Sequence, residues 1–167
     1  MILKNLTKKF YVNLICILLI FVLDRISKIY VIYLNEKVYA SELFKSKYLN
    51  ISLIWNEGIA FGLFSLDQLN LYNFLTIIIT IVIFIVFIMI IKNFGLKRYA
   101  LMMVFGGAIG NLYDRIFYKA VPDFIDFHIG EFHWFIFNVA DIFITVGVIF
   151  MILLELIGKK NNDDKKI

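Results

Sequence analysis

The chain has 167 residues, 62% of them hydrophobic, and a formal charge of +4 from 17 Lys and Arg against 13 Asp and Glu. Ordinary globular domains are only about 45–50% apolar, so this composition excludes a soluble domain. The basic excess lies mostly in flanks and loops, which excludes a nucleic-acid face and suits a membrane protein with basic ends.

The start, Met1 to Lys9, carries Lys4, Lys8 and Lys9. The apolar run behind it is longer than the core of a signal peptide and lacks a small-residue cleavage site, so it reads as a retained helix. That first span runs from about residue 10 to 34. Cys16, the only cysteine, lies inside it. No intramolecular disulfide is available, no base sits beside the thiol, and the residue reads as a small buried hydrophobe. The outer third of the span holds Asp24-Arg25-Ile26-Ser27-Lys28, where Asp24 and Lys28 share one helix face at i,i+4 and can pair.

Residues 36–70 form a mixed-charge loop. Within it Leu49–Trp55 alternates and is rich in β-formers, which predicts a short strand. Asn56-Glu57-Gly58-Ile59-Ala60-Phe61-Gly62 follows, with small residues that permit close backbone approach. A second span covers 71–91, and a basic turn with Lys92, Lys97 and Arg98 leads to a third at about 99–117. Gly106 and Gly110 give that span a small-xxx-small face for tight helix packing. Residues 118–134 read as non-helical, 135–157 as a fourth span, and 159–167 as a disordered basic tail. About 20 apolar residues suffice to cross a bilayer. The fold class is therefore an all-α integral membrane protein of four transmembrane helices in a single domain, residues 1–158.

Lys and Arg concentrate at the N-terminus, the 92–98 turn and the C-terminal tail, while residues 118–134 contain only Lys119. The positive-inside rule puts both termini and the middle turn in the cytoplasm and the two longer loops outside. In that orientation Asp24, Asn56, Asn111, Asp114, Arg115, Asp123, Asn138 and Asp141 all fall near the outer interface. Ionisable groups at membrane depth are expensive, so their convergence at one level points to one functional site. Asn111, Asp114 and Arg115 share a helix face, as do Asn138 and Asp141. Pro122 fixes the backbone just before Asp123, which predicts a carboxylate on a rigid turn.

Two acids at one site fit an aspartic protease, where a pair shares a proton and one member activates water. His128 and His133 lack the His-Glu-x-x-His spacing of a metalloprotease and read as loop residues, so no metal or other cofactor is expected. Nothing reads as a sugar platform for glycoside chemistry, and no Ser-His pairing serves a serine mechanism. A proton-linked transporter needs polar groups along a whole path, whereas the inner half of each span is bare of charge; a pure assembly subunit is the remaining non-enzyme reading. By spacing alone, Asp114 with Asp141 competes with Asp123 with Asp141. Asp114, beside Arg115 and one turn after Asn111, suits a structural carboxylate held ionised; Asp123, on a turn at the water edge, suits a base.

The motifs Asp24-x-x-Ser27-Lys28, Asn56-x-Gly58-x-Ala60-Phe61, Gly106-Gly107-Ala108-x-Gly110-Asn111-x-x-Asp114-Arg115, Val121-x-Asp123-Phe124-x-Asp126 and Phe137-Asn138-x-Ala140-Asp141 together resemble the lipoprotein signal peptidases, or signal peptidase II. They occur in that family's order and spacing. The resemblance implies a bacterial inner-membrane aspartic endopeptidase with four transmembrane helices and a small extracytoplasmic β-rich cradle. It implies cleavage of prolipoproteins just before a diacylglyceryl-modified Cys, within membrane lipid, and inhibition by globomycin-type compounds. It puts Asp123 and Asp141 on the catalytic dyad, Asn56, Asn111, Arg115 and Asn138 on pocket positions that hold substrate backbone, and Asp24, Lys28 and Asp114 on supporting positions.

Overall fold

The computed structural model describes residues 2–38, 42–58 and 68–163. The chain forms α1 (Ile2–Val38), β1 (Phe44–Lys45), β2 (Leu49–Asn56), α2 (Gln68–Lys92), α3 (Gly95–Phe117), β3 (Val121–Ile129), β4 (Phe132–Phe137) and α4 (Val139–Asp163). Ala60, Phe61 and Gly62 of the Asn56 motif lie outside the described residues, as do the last four residues of the expected tail.

α3 is the central helix and packs against α1, α2 and α4. Its approach to two neighbours is close because of its glycines. A Cβ at Gly106 would lie 3.0 Å from Ile20 of α1, and one at Gly107 would lie 2.5 Å from the Ala140 carbonyl oxygen of α4. Gly147 of α4 returns the fit, its Cβ position lying 2.7 Å from the Ala100 carbonyl oxygen. The expected small-xxx-small face of Gly106 and Gly110 thus meets α1. Deeper between the helices, Leu101 and Met102 pack with Ile90, with Cys16, Ile17 and Phe105 at the margin.

The stretches α2 Tyr72–Lys92 and α4 Val139–Gly158 are long and apolar enough to cross a membrane. Their outward faces are apolar, with Phe74, Ile77, Phe84, Ile149 and Leu156 all exposed. α1 likewise exposes Ile15, Leu19, Leu23, Ile26 and Tyr30. Apolar surface of this extent exceeds the few hundred Å² that a soluble monomer tolerates.

The four strands form one antiparallel sheet in the order β1-β2-β3-β4. β2 is the strand predicted from the alternation at 49–55. It pairs with β3 so that Ile54 lies opposite Asp123 and Asn56 opposite Val121. A two-residue turn, Gly130-Glu131 with Gly130 at φ +60, joins β3 to β4.

Several boundaries differ from expectation. α1 extends beyond 10–34 at both ends, because helix continues through polar flanks wherever propensity allows; apolarity marks the span and not the helix. Lys97 and Arg98 belong to the first turns of α3 rather than to the turn, where Arg98 Nε donates to the Asn93 carbonyl (2.6 Å). The fourth helix starts at Val139, since Phe132-His133-Trp134-Phe135-Ile136-Phe137 is strand. That aromatic run is apolar enough to be read as the start of a span, yet aromatics favour a pleated surface. The helix does not end at Gly158 but continues to Asp163.

Candidate active site

Three helix parts meet at one level: the Asp24–Lys28 stretch of α1, the last turns of α3 and the first turn of α4, with β2 and β3 beside them. The N-terminus of α4 shows how local chemistry builds the site. A helix leaves its first N–H groups without intrahelical partners. Here Asn138 is the N-cap: its Oδ1 accepts from the Asp141 N–H (3.2 Å), and Asp141 Oδ2 accepts from the Asn138 N–H (3.1 Å). This is the reciprocal capping box. The Ala140 N–H between them donates to Asp24 Oδ1 of α1 (3.1 Å). Asp141 therefore has a fixed backbone position and lies at the positive end of the helix.

Asn138 also reaches the second acid. Its Nδ2 donates to Asp123 Oδ1 (2.6 Å), and Asn56 Nδ2 donates to Asp123 Oδ2 (2.9 Å). The second oxygen of Asp141, Oδ1, accepts from Asn111 Nδ2 (2.8 Å). Each carboxylate thus receives hydrogen bonds on both oxygens, and Asn138 links the two.

Behind Asn111 stands a buried charge network. Lys28 Nζ donates to Asn111 Oδ1 (2.8 Å) and Asp114 Oδ2 (2.7 Å) and pairs with Asp24 Oδ1 (2.9 Å). An ammonium has three donors; two are hydrogen-bonded here, and the third contact is the ion pair with Asp24. The bond to Oδ1 leaves the Asn111 amide nitrogen facing Asp141. Arg25 grips Asp114 through both terminal nitrogens and also reaches Asp24 Oδ2 (2.7 Å). Its guanidinium lies 4.8 Å from the Tyr113 ring centroid. Asp24, Asp114 and Lys28 are almost fully buried. The two acids are matched by two bases, the condition under which buried charge is tolerated.

Gly110 closes the packing at this point. A Cβ there would lie 2.5 Å from Asp24 Oδ2, so Gly110→Ala must displace the carboxylate that holds Lys28, Arg25 and the α4 N-terminus. Overpacking of this kind destabilises by about 1–3 kcal/mol. Denaturant unfolding in detergent should read a loss in that range for Gly110→Ala and a smaller one for Gly158→Ala, where no atom lies within 4 Å of the added methyl.

Asp123 lies in β3, not on a turn, and is only 4% exposed. Pro122 enters the strand near its start and lies opposite Trp55. The water-edge base expected for Asp123 is thus corrected: the residue is buried. Burial pushes its carboxyl above the ordinary value of 3.8; the bonds from Asn56 and Asn138 oppose the shift, the charge of Asp141 adds to it, and Lys28 opposes it weakly. A carboxyl whose folded-state pKa is raised contributes stability that is fully present below its unfolded pKa. That contribution is lost as pH rises through the raised value. Thermal midpoints across the acid range should therefore fall with rising pH more steeply in the wild type than in Asp123→Asn.

Two cavities border the acids. One of about 650 Å³ is almost wholly apolar and runs along Phe127, Trp134, Phe137, Ile142 and Val146 to Asp141. The other, about 370 Å³, is partly polar and is lined by Ile54, Trp55, Asn56, Glu57, Asp123 and Ile136.

The family described as signal peptidase (SPase) II matches residues 16–157. The chain belongs to the signal peptidase II family. It is 51% identical over 158 residues to a lipoprotein signal peptidase of Pelagibacter ubique (strain HTCC1062), covering 93% of this chain and 95% of that one. It is 37% identical over 151 residues to the lipoprotein signal peptidase of Anaplasma phagocytophilum (strain HZ), covering 89% and 94%. A bacterial membrane enzyme solved by the in meso method at 1.9 Å superposes with a TM-score of 0.73 at 30% identity, over 87% of this chain and 92% of that one. A second, solved at 2.3 Å, gives 0.68 at 29% identity over 90% of each chain.

Of the residues that the family motifs single out, Asp24, Lys28, Asn56, Asn111, Asp114, Asp123, Asn138 and Asp141 join one hydrogen-bonded network. Arg115 does not: its guanidinium donates to the Asn111 carbonyl (3.2 Å) on its own helix. Asp114 is held by Arg25 and Lys28, not by the adjacent Arg115. Arg25 is the residue that sequence reasoning missed. It lies three residues before Lys28, and an i,i+3 reading of that helix face is the signal that finds it.

Proposed function

We propose that this signal peptidase II family member is an aspartic endopeptidase that removes signal peptides from prolipoproteins by cutting before a diacylglyceryl-modified Cys. The linkage of Asp123 and Asp141 through Asn138 carries this reading. The two cationic partners of Asp114 favour a structural carboxylate there, whereas Asp123 and Asp141 receive only neutral donors and border the cavities.

In this mechanism the pair shares one proton. Asp123, its carboxyl raised by burial, holds that proton and is the general acid, and Asp141 is the general base. Water between them attacks the scissile carbonyl carbon as Asp141 takes its proton, and Asp123 gives its own proton to the carbonyl oxygen. The C–N bond of the resulting diol then breaks. Asp141 passes its proton to the leaving amine of the Cys, and Asp123 recovers one from a diol hydroxyl. The products are a signal-peptide carboxylate and a free Cys amine. Asn56, Asn111 and Asn138 hold the carboxyls in reach; Asp24, Lys28 and Asp114 hold Asn111 and α4; and the Arg115 side chain remains available to substrate backbone.

The chain acts as one domain with four transmembrane helices, α1 and α3 crossing beside the two apolar spans. Asp24, Arg25 and Lys28 of α1 and Asp114 of α3 lie against each other inside the bundle rather than toward lipid. Both termini are on the cytoplasmic side of the bacterial inner membrane, and the sheet lies at the outer interface. The apolar cavity beside Asp141 receives the lipidated Cys and the end of the signal helix, and is also where a globomycin-type inhibitor competes. No cofactor enters the reaction. Depth matching and diffusion in the membrane plane supply much of the orientation. Purified protein should process a synthetic precursor carrying the diacylglyceryl group at least about 100-fold faster than the same precursor without it, a difference of some 2.7 kcal/mol at the transition state. Equal rates on the two precursors would contradict this substrate assignment.

A further inference from the structure

We propose that Asp126, His128 and His133 form a binding site for a borderline divalent cation of the Zn²⁺ class, pinning β3 to β4. These are the only two histidines of the chain, and the fold brings both to one place beside a carboxylate. His128 and His133 lie opposite each other across the two strands. Asp126 and His128 are two apart on β3 and so share its face. The pairing depends on a register shift between Asp126 and His128. Asp126 lies opposite Ile136, so an unbroken ladder would put Trp134 opposite His128; the extra residue in β4 brings His133 there instead. Register shifts of this kind commonly re-aim a side chain toward a site.

The donor geometry is close to that of a ligand set. One donor atom from each of the three residues lies within 4.8 Å of the others. His133 Nδ1 lies 2.8 Å from Asp126 Oδ2; the two imidazoles are near-parallel (18°) at 5.0 Å between centroids, so the His133 ring must also turn for both lone pairs to meet one ion. Among the described residues, His128 Nδ1 is buried without a hydrogen-bond partner. A tetrahedral Zn²⁺ with ligands at 2.0–2.2 Å holds its donors about 3.3–3.6 Å apart. From donor separations within 4.8 Å the widest gap must close by up to roughly 1.5 Å, and His133, half exposed at 49%, is free to move. Two imidazoles and one carboxylate suit Zn²⁺ or Cu²⁺ and not Ca²⁺ or Mg²⁺, which demand oxygen-only shells. Water supplies the fourth position. The cluster shares no hydrogen bond with the Asp123–Asp141 network among the described residues, although Asp123 lies on the same strand. His128 lines the apolar cavity that reaches Asp141, but no donor of the cluster belongs to the acid pair, so the role proposed for the cation is structural.

The test is a titration of the untagged full-length protein in detergent with Zn²⁺ alone, read by calorimetry, with Co²⁺ absorption as a spectroscopic check. The expected result is one site of micromolar affinity, weakened at least tenfold in both His133→Ala and His128→Ala. Saturating Zn²⁺ should also raise the thermal midpoint of the wild type and not of His133→Ala, since a ligand bound only by the folded state stabilises it. His133 is exposed enough that its removal leaves the fold intact. Prolipoprotein cleavage should persist in His133→Ala and in chelator, so failure of this site is separable from failure of the proposed reaction. Absence of saturable Zn²⁺ binding by the wild type, or binding by both variants equal to that of the wild type, overturns the proposal.

Discussion

Asp123→Asn and Asp141→Asn each lower the rate of prolipoprotein cleavage by roughly 10³-fold or more, in protein that still inserts and folds. The size follows from the proposed role, in which each acid moves a proton in both halves of the reaction; general acid–base participation alone supplies about 10²–10⁴-fold. The amide is close in shape to the carboxyl, but its NH2 cannot accept. At Asp141 the remaining side-chain oxygen can still accept the Asn138 N–H, which preserves the start of α4, while the bond from Asn111 is lost. At Asp123 the amide keeps one of the bonds from Asn56 and Asn138 and sets its NH2 against the other donor, so the rate is read beside a folding control. The double variant should be little worse than either single one, because residues that act as a unit are strongly non-additive. Asp114→Asn separates the rival assignment. Its carboxylate faces Arg25 and Lys28, so its removal should appear mainly as lost stability. A rate close to wild type in Asp123→Asn, with a dead Asp114→Asn that remains folded, would transfer the pairing to Asp114.

Lys28→Met is expected to destabilise the protein by roughly 3–5 kcal/mol, the range for removing one partner of a buried ion pair. Lys28 is 1% exposed and sits between Asp24, Asp114 and Asn111. Without it, two buried carboxylates share only Arg25. Asn111 also loses the bond that fixes its amide, so Asp141 loses a defined donor and the cleavage rate falls with the stability. Lys28→Met combined with Asp114→Asn removes one positive and one negative charge together. The pair should therefore be less destabilised than the sum of its single variants, a coupling that a double-mutant cycle in denaturant will read directly. Simple additivity would mean that the network does not act as a unit.

Much of this site is legible in the order of the residues alone. The bare apolar run at 71–91 allows nothing but a membrane-length helix, and the alternation at Leu49–Trp55 allows little but a strand. The spacing of Asn111 with Asp114, and of Asn138 with Asp141, announces shared helix faces. Other features depend on tertiary context. The run 132–137 is apolar at every residue but His133, and period alone does not separate a strand that faces lipid or a cavity from the start of a span. Pro122 reads locally as a turn, but the neighbouring β2 makes it strand. That Asn138 caps α4 while gripping Asp123 follows from where β3 lies, and no local spacing contains it. Arg25 is overshadowed in the sequence by the i,i+4 pair of Asp24 and Lys28, and its bond to Asp114 spans two helices. Burial of Asp123, which pushes its carboxyl up, comes from elements far apart in the chain, as its bond to Asn56, 67 residues away, records.

The most direct measurement is the mass of the products when the purified wild-type protein acts, in lipid and with a chelator present, on a synthetic diacylglyceryl-modified prolipoprotein. The account predicts two products, divided at the bond immediately before the lipidated Cys, at a rate the chelator leaves unchanged. Cleavage at another bond, or a reaction that stops when divalent metal is removed, would contradict it.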